Sequence, residues 1–348
     1  MTIRNLDALF KPSSVAIIGA TERAGALGQL ITRNVLDAGF PGPVWLVNPH
    51  RATLFEHRCF PDVASLPAAP ELAIITTPAA AAVDAVAALA ARGTRAAVVI
   101  AAGFAGSGDA PGVALRRALL DAARPALLRI LGPNCLGLLA PAAKLNASFA
   151  HLAPRTGSLA FVAQSGAVIT SVLDWAAPRN IGFSVLASLG DMADVDFGDM
   201  LDYLANDPAT SAILLYVEGI THARKFMSAA RAAARTKPVV VVKAGRHAAG
   251  ARAAASHTGA LAGVDAVYDA AFRRAGMLRV LTLEELFDAV ETLALTRPPR
   301  GERLLILTNG GGAGVLATDA LMDAGGTLAT LSADTLARLD AVLPPTWS

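Results

Sequence analysis

Short runs of apolar, β-branched residues alternate with longer segments whose apolar positions recur at helical spacing. Residues 14–19 (SVAIIG) are a run of the kind buried on both faces of a sheet. They lead through a Gly-rich turn at 19–28 into an amphipathic stretch over 29–38. Residues 44–48, 71–77, 96–101 and 128–131 repeat the pattern, and each run is closed by Gly, Pro or Asn. Strand and helix in alternation, with a turn residue past each strand, predict a parallel sheet. Residues 138–156 contain prolines and lack a clear period, so an irregular connection is expected there.

A second series follows. Residues 158–162, 183–188, 212–217 and 238–243 read as strands, with a helix reaching Ala176 after the first. From 264 to about 297 the pattern is helical, with Thr282 a capping candidate. Residues 297–301 (RPPRG) read as a linker. A third unit opens with 304–307 (LLIL), a glycine turn at 310–314 and a helix to Ala324; one strand (327–331) and one helix follow. Two strands do not make an independent sheet, so this unit is expected to be incomplete or completed by something else. The expected division is 1–140, 150–297 and 301–348, all of class α/β.

Composition narrows the function. The chain has 348 residues, 54% of them hydrophobic, enough for several cores. Net charge is +2 with both signs interspersed, which points to neither nucleic acid nor an anionic membrane. The mean hydropathy of +0.48 comes from alanine, and no stretch reaches the ~18 strongly apolar residues of a spanning helix. Two cysteines, Cys59 and Cys135, make neither a disulfide framework nor a multi-Cys metal site, and a reducing, cytoplasmic setting is expected. The N-terminus has no signal-peptide pattern.

The candidate chemistry lies at strand ends. The turn holding Gly19, Thr21, Gly25 and Gly28 suits a diphosphate on a helix N-terminus. Its spacing is not that of plain NAD binding, and Asn48 stands where a ribose-binding acid would be. Thr21, Asn48-Pro49, Thr77-Pro78, Gly103 and Asn134 follow successive strands and are expected along one crevice. Gln164-Ser165-Gly166, at a strand-to-helix junction, offers backbone N–H groups and a hydroxyl to a phosphate, or a plain Ser N-cap. Asp191, Asp194, Asp196 and Asp199 lack calcium-loop spacing and are expected to be a solvated, helix-capping face; no metal site is expected. Glu218 closes a strand on the ligand side. His257, between Ser256 and Thr258 in a small-residue loop, has the character of a nucleophile and could be oriented by Glu218.

The motifs SVAIIGAT with Gly25 and Gly28, LVNP, TTP, GPNCLG, VAQSGA, YVEGI, SHTGALAG and TNGGGAGV occur in order along the chain. With them it resembles the nucleoside-diphosphate-forming acyl-CoA synthetases, the ADP-forming acetate–CoA ligase group related to the succinyl-CoA synthetase alpha subunit. The resemblance implies a Rossmann-like CoA-binding domain followed by flavodoxin-like domains. It implies CoA contacts at Gly19, Thr21, Gly25, Gly28, Asn48, Pro49, Arg51, Pro78, Gly103 and Asn134. It implies that His257 is phosphorylated, that Glu218 orients it, and that Gln164, Ser165, Gly166 and Asn309, Gly310, Gly311, Gly312 bind the phosphoryl group.

The implied reaction is acid + CoA + ATP = acyl-CoA + ADP + Pi, through an acyl phosphate and phospho-His257. ATP or ADP with Mg²⁺ would bind an ATP-grasp domain that the sequence lacks, so a beta-type partner and an oligomer are expected, with a small carboxylic acid as substrate. The alternative is an inactive CoA- or acyl-CoA-sensing module of an acetyltransferase-type chain. An NAD-dependent dehydrogenase is disfavoured by the glycine turn.

Overall fold

The computed structural model describes residues 3–104, 110–247, 249–250, 264–296 and 301–344. The chain divides into two compact units, Met1–Leu295 and Thr296–Ser348.

In the first unit, sheet one has strand order β3-β4-β2-β1-β5-β6-β7. Its members are β1 (Val15–Ile18), β2 (Val44–Val47), β3 (Thr53–Leu54), β4 (His57–Phe60), β5 (Leu72–Ile75), β6 (Ala96–Val99) and β7 (Arg129–Leu131). All pairings are parallel except β3 with β4. Every residue of β1, β5 and β6 is buried. The reason is a helical layer on each face. Helix α1 (Asp7–Phe10) precedes the sheet, and Val15 and Ile17 pack with Ile31 and Val35 of α2 (Leu27–Asp37). Ala16 and Ile18 pack with Ala82 and Val86 of α3 (Ala79–Arg92) and Leu119 of α4 (Ala110–Ala123). The chain leaves β1 toward β2 and returns to β5 on the other side, so the order reverses between β1 and β5, where such sheets bind ligands.

Sheet two has order β14-β13-β12-β10-β11-β8-β9. Strands β10 (Arg155–Ala163), β11 (Gly182–Ser188), β12 (Ala212–Val217), β13 (Val239–Lys243) and β14 (Leu278–Val280) run parallel. β8 (Gly137–Ala140) and β9 (Leu145–Ser148) form an antiparallel hairpin on the β11 edge. The expected irregular connection over 138–156 therefore contains strand at 138–140, 145–148 and 155–156. Pro141 does not obstruct it, because it falls in the single 3-10 turn at Pro141–Ala143 between the two strands. The helical pattern expected from 264, with a start at Thr282, also contains a strand. Gly276, at φ 82°, ends α8 (Asp265–Ala275), then β14 adds an edge strand before α9 (Leu283–Leu295). Thr282 caps α9 as expected, accepting from the Glu285 N–H at 3.1 Å.

The two sheets are joined by backbone. Ala193 donates to the Gly132 carbonyl (2.9 Å), Val195 to Ile130 (3.1 Å) and Asp191 to Pro133 (2.9 Å). Gly190 permits this approach: a Cβ there would meet the Pro133 oxygen at 2.1 Å. Charge reinforces the seam. Arg129 on β7 pairs with Asp194 (2.8 Å) and Asp199 (3.3 Å). Lys225 of α7 (Ala223–Ala234) pairs with Asp196 (3.0 Å) and Asp199 (2.6 Å), and His222 meets Asp196 at 2.9 Å. Asp196 and Asp199 form the capping box of α6 (Phe197–Asn206), so the capping expectation holds. The solvated face does not: Asp196 and Asp199 are buried, and Asp199 is only 1% exposed. Buried carboxylates persist because cations from two other elements meet them.

In the second unit, β15 (Arg303–Leu304) pairs in parallel with β16 (Thr327–Leu328) beside α10 (Gly311–Asp323) and α11 (Ala333–Asp340). The runs expected as strands over 304–307 and 327–331 are thus reduced to two residues each, and Leu305 and Leu307 are exposed.

Candidate active site

Gly19 ends β1 at φ +90°, a conformation natural to glycine. Gly28, in the first turn of α2, packs directly on it: a Cβ at Gly28 would meet the Gly19 oxygen at 2.3 Å. Between them the Thr21 hydroxyl accepts from the Arg23 N–H (3.2 Å), and the Gly25 N–H donates to Gln29 Oε1 (3.1 Å). No side chain caps α2. Asn48 braces this turn, donating to the Ala20 carbonyl (2.8 Å) and accepting from the His50 N–H (2.8 Å). Pro49, Arg51, Pro78 and Gly103 are exposed beyond strands of the same edge. Thr76, which sequence reasoning passed over, donates to the Ile18 carbonyl (3.0 Å) and would contact a Cβ at Gly19 at 2.7 Å.

In sheet two, Ser165 is the extended N-cap residue of α5 (Gly166–Ala176), yet its side chain makes no capping bond. The simple N-cap reading of Ser165 is therefore not what the geometry shows. An uncapped helix N-terminus carries partial positive charge and unmatched N–H groups suited to an anion. Glu218 follows β12 and is 9% exposed. Gln164 is nearly as buried (7%), and its Oε1 accepts from the N–H groups of Glu218 (2.7 Å) and Gly219 (2.8 Å).

A cavity of about 500 Å³ connects these parts. Gln164, Ser165, Gly166 and Glu218 line it from sheet two; Leu27, Ala101 and Asn134 line it from sheet one. Asn134, at φ 56°, donates to Asp191 Oδ1 (3.1 Å) across the seam. Phe149 forms another wall, and its segment is held from α2: Asn34 donates to the carbonyls of Ser148 (2.8 Å) and Ala150 (2.9 Å). Neither stands out in the sequence, because the segment that carries Phe149 shows no clear strand period. Cys135 also lines the cavity, but burial pushes its thiol up to about 12, so it stays protonated. Thr21, Asn48, Pro49, Arg51, Pro78 and Gly103 share the strand-end edge but do not line this cavity.

Lys243 ends β13 buried, its Nζ 4.6 Å from the Tyr268 ring and donating to the Ala244 carbonyl. Burial lowers its pKa, and Arg279 adds to that, against the opposing pull of Asp265 and Glu218. His257 lies outside the described residues. In the second unit, Gly310 is the extended N-cap residue of α10, its N–H donating to the Thr308 hydroxyl at 3.0 Å. Gly311 and Gly312 begin that helix, which also has no side-chain cap.

Residues 13–141 match a CoA binding domain, and residues 156–293 match a succinyl-CoA ligase like flavodoxin domain. The chain is 38% identical over 325 residues to the acetate–CoA ligase (ADP-forming) I subunit alpha of Pyrococcus furiosus, spanning 92% of this chain and 70% of that one. The chain belongs to the ADP-forming acetate–CoA ligase family. It is also 42% identical over 339 residues to acetate–CoA ligase (ADP-forming) I of Archaeoglobus fulgidus, spanning 97% of this chain and 49%, about half, of that relative. A solved structure, the dinucleotide-forming acetyl-coenzyme A synthetase 1 of Ca. Korarchaeum cryptofilum in complex with phosphate and ADP, superposes with a TM-score of 0.92 at 38% identity. That match covers 99% of this chain and 74% of that one. These relatives of the ligase-family chain are named as ligases or synthetases, which lends no support to the sensing-module alternative. Among the described residues no helix is long and apolar enough to cross a membrane.

Proposed function

We propose that this chain is the CoA-binding and phosphohistidine-carrying part of an ADP-forming acyl-CoA synthetase. The observation that carries the reading is the cavity at which the strand ends of sheet one meet the uncapped α5 N-terminus and Glu218. In the acyl-CoA-consuming direction, a phosphate oxygen attacks the thioester carbonyl, the C–S bond breaks and CoA leaves as the thiolate. The α5 amides and the Ser165 hydroxyl hold the phosphate and the charge on the acyl phosphate that forms. A ring nitrogen of His257 then attacks phosphorus and the carboxylate departs. Glu218 accepts a hydrogen bond from the other ring nitrogen, which fixes the tautomer and supports the positive ring.

The turn from Gly19 to Gly28, with Asn48, Pro49, Arg51, Pro78, Gly103 and Asn134, would hold CoA; it supplies the thiol. Asn309, Gly310, Gly311 and Gly312 would bind the phosphoryl group at the second uncapped helix. ADP and Mg²⁺ would belong to an ATP-grasp partner that accepts the phosphoryl group from His257, and a cytoplasmic oligomer is the setting proposed.

The test needs no nucleotide. The chain is incubated with ³²P-labelled acetyl phosphate, and protein-bound label is examined for acid lability and base stability. Such label on the wild-type chain and none on His257→Ala supports the reading. Label that persists in His257→Ala, or none on either chain, overturns it. Discharge of the label by ADP on adding an ATP-grasp subunit tests the partner.

A further inference from the structure

Gln164 lies at the α5 junction, and its side-chain oxygen is fully engaged with the chain. It accepts from two consecutive N–H groups, those of Glu218 and Gly219, at 2.7 and 2.8 Å. The backbone around it is equally committed. The Gln164 N–H donates to the Tyr216 carbonyl (3.3 Å), and its carbonyl accepts from the Ser188 hydroxyl (3.5 Å). The ladder between β10 and β12 ends at Ala163 and Tyr216. Beyond that point the Gln164 side chain takes over the pairing, holding the turn that presents Glu218 to the cavity.

We infer that Gln164 is a positioning residue that sets the Glu218 carboxylate for His257. The inference rests on the phosphohistidine reading above. The chemistry of the side chain supports the role. One amide oxygen can accept two convergent N–H groups without bringing charge, whereas a carboxylate here would place a second negative group beside Glu218. Asparagine is one methylene too short to span the gap. An apolar side chain of the same length would leave two buried N–H groups unmatched, and the turn would turn over to find water.

The experiment measures the rate of His257 labelling from ³²P-acetyl phosphate on the full chain. Four forms are compared: wild type, Gln164→Met, Glu218→Gln and the double variant. Thermal unfolding and CoA binding are recorded for each, so that a failure to fold is seen directly. Gln164→Met is expected to slow labelling about tenfold or more at saturating acetyl phosphate, with its KM within about twofold of wild type. In the Glu218→Gln background the same change is expected to cost less than about threefold, because residues acting through one another are not additive. A rate for Gln164→Met within about twofold of wild type overturns the inference. So does an equal fold-loss in both backgrounds, which marks a general structural effect. A rise of about tenfold in KM with an unchanged maximal rate overturns it in favour of phosphate binding. No label on the wild-type chain overturns the phosphohistidine reading, whereas a labelled wild type with an unaffected Gln164→Met overturns the role of Gln164 alone.

Discussion

Replacing Arg129 with Met is predicted to destabilise both sheets of the first unit together. The guanidinium is 12% exposed and bridges Asp194 at 2.8 Å and Asp199 at 3.3 Å, the latter only 1% exposed. Methionine fills most of the volume but removes one of the cations that face Asp199, leaving the pair with Lys225. Burial already raises the Asp199 pKa, against the lowering by Lys225 and Arg129, so loss of Arg129 pushes it further up. Removing one partner of a buried pair costs about 3–5 kcal/mol. With a urea m-value of about 3 kcal/mol/M, the unfolding midpoint falls by about 1–1.7 M. Trp45 on β2 and Trp175 on α5 report the two sheets separately by fluorescence, each left as the only tryptophan in turn. Both signals are expected to shift equally. A loss below about 1 kcal/mol would show that the pairs are screened as surface pairs are. A shift at one tryptophan alone would show that the seam does not couple the sheets. Arg129→Lys, a point charge that cannot reach both carboxylates in one fork, is expected to fall between wild type and Met.

Gly28→Ala sets a Cβ 2.3 Å from the Gly19 oxygen, so α2 must shift; CoA affinity, measured by calorimetry, is expected to fall about tenfold or more, and an unchanged affinity would separate this turn from CoA. Asp207 is held below the usual aspartate range: burial alone would raise it, but the Thr210 hydroxyl and Lys11 lower it. Its contribution is therefore present above the unfolded value near ~3.9 and lost as pH falls through the lower folded value, so Lys11→Met should lessen the acid sensitivity of unfolding in that window and leave its slope at pH 7 unchanged. Cys135, with its thiol at about 12, is expected to resist iodoacetamide at pH 8 in the folded chain and to react after urea is added. Labelling without urea would show that the cavity wall opens.

The sequence was most informative where burial on both faces removes ambiguity. The runs at β1, β5, β6 and β12 are apolar without interruption because helices cover both sides, and Gly or Pro marks each exit. The placement of Glu218 and Ser165 at the cavity is legible for the same reason, since a strand's carboxyl end faces the ligand side. What escaped depends on partners distant in sequence. The Asp196–Asp199 pair reads as a surface cap until Arg129, 70 residues before Asp199, is brought alongside. The bracing of the Glu218 turn by Gln164 is equally hidden, because Glu218 lies 54 residues on. The β8–β9 hairpin was hidden by Pro141, which lies at its bend rather than in its strands. β14 was hidden by its length of three residues, with only Val280 buried.

The backbone seam between residues 130–133 and 191–195 has a consequence for how such chains can be recombined. A crossover placed near residue 140, where one sheet gives way to the next in the chain, would draw Ile130 and Gly132 from one parent and Gly190 to Val195 from the other. The fit there is set by a missing Cβ at Gly190 and by carbonyls 2.9–3.1 Å from their donors, tolerances that two diverged parents need not share. Inheritance in this scaffold is expected to respect the seam: viable chimaeras exchange the whole stretch from 129 to 195 as one block, and the hairpin and α5 travel inside it.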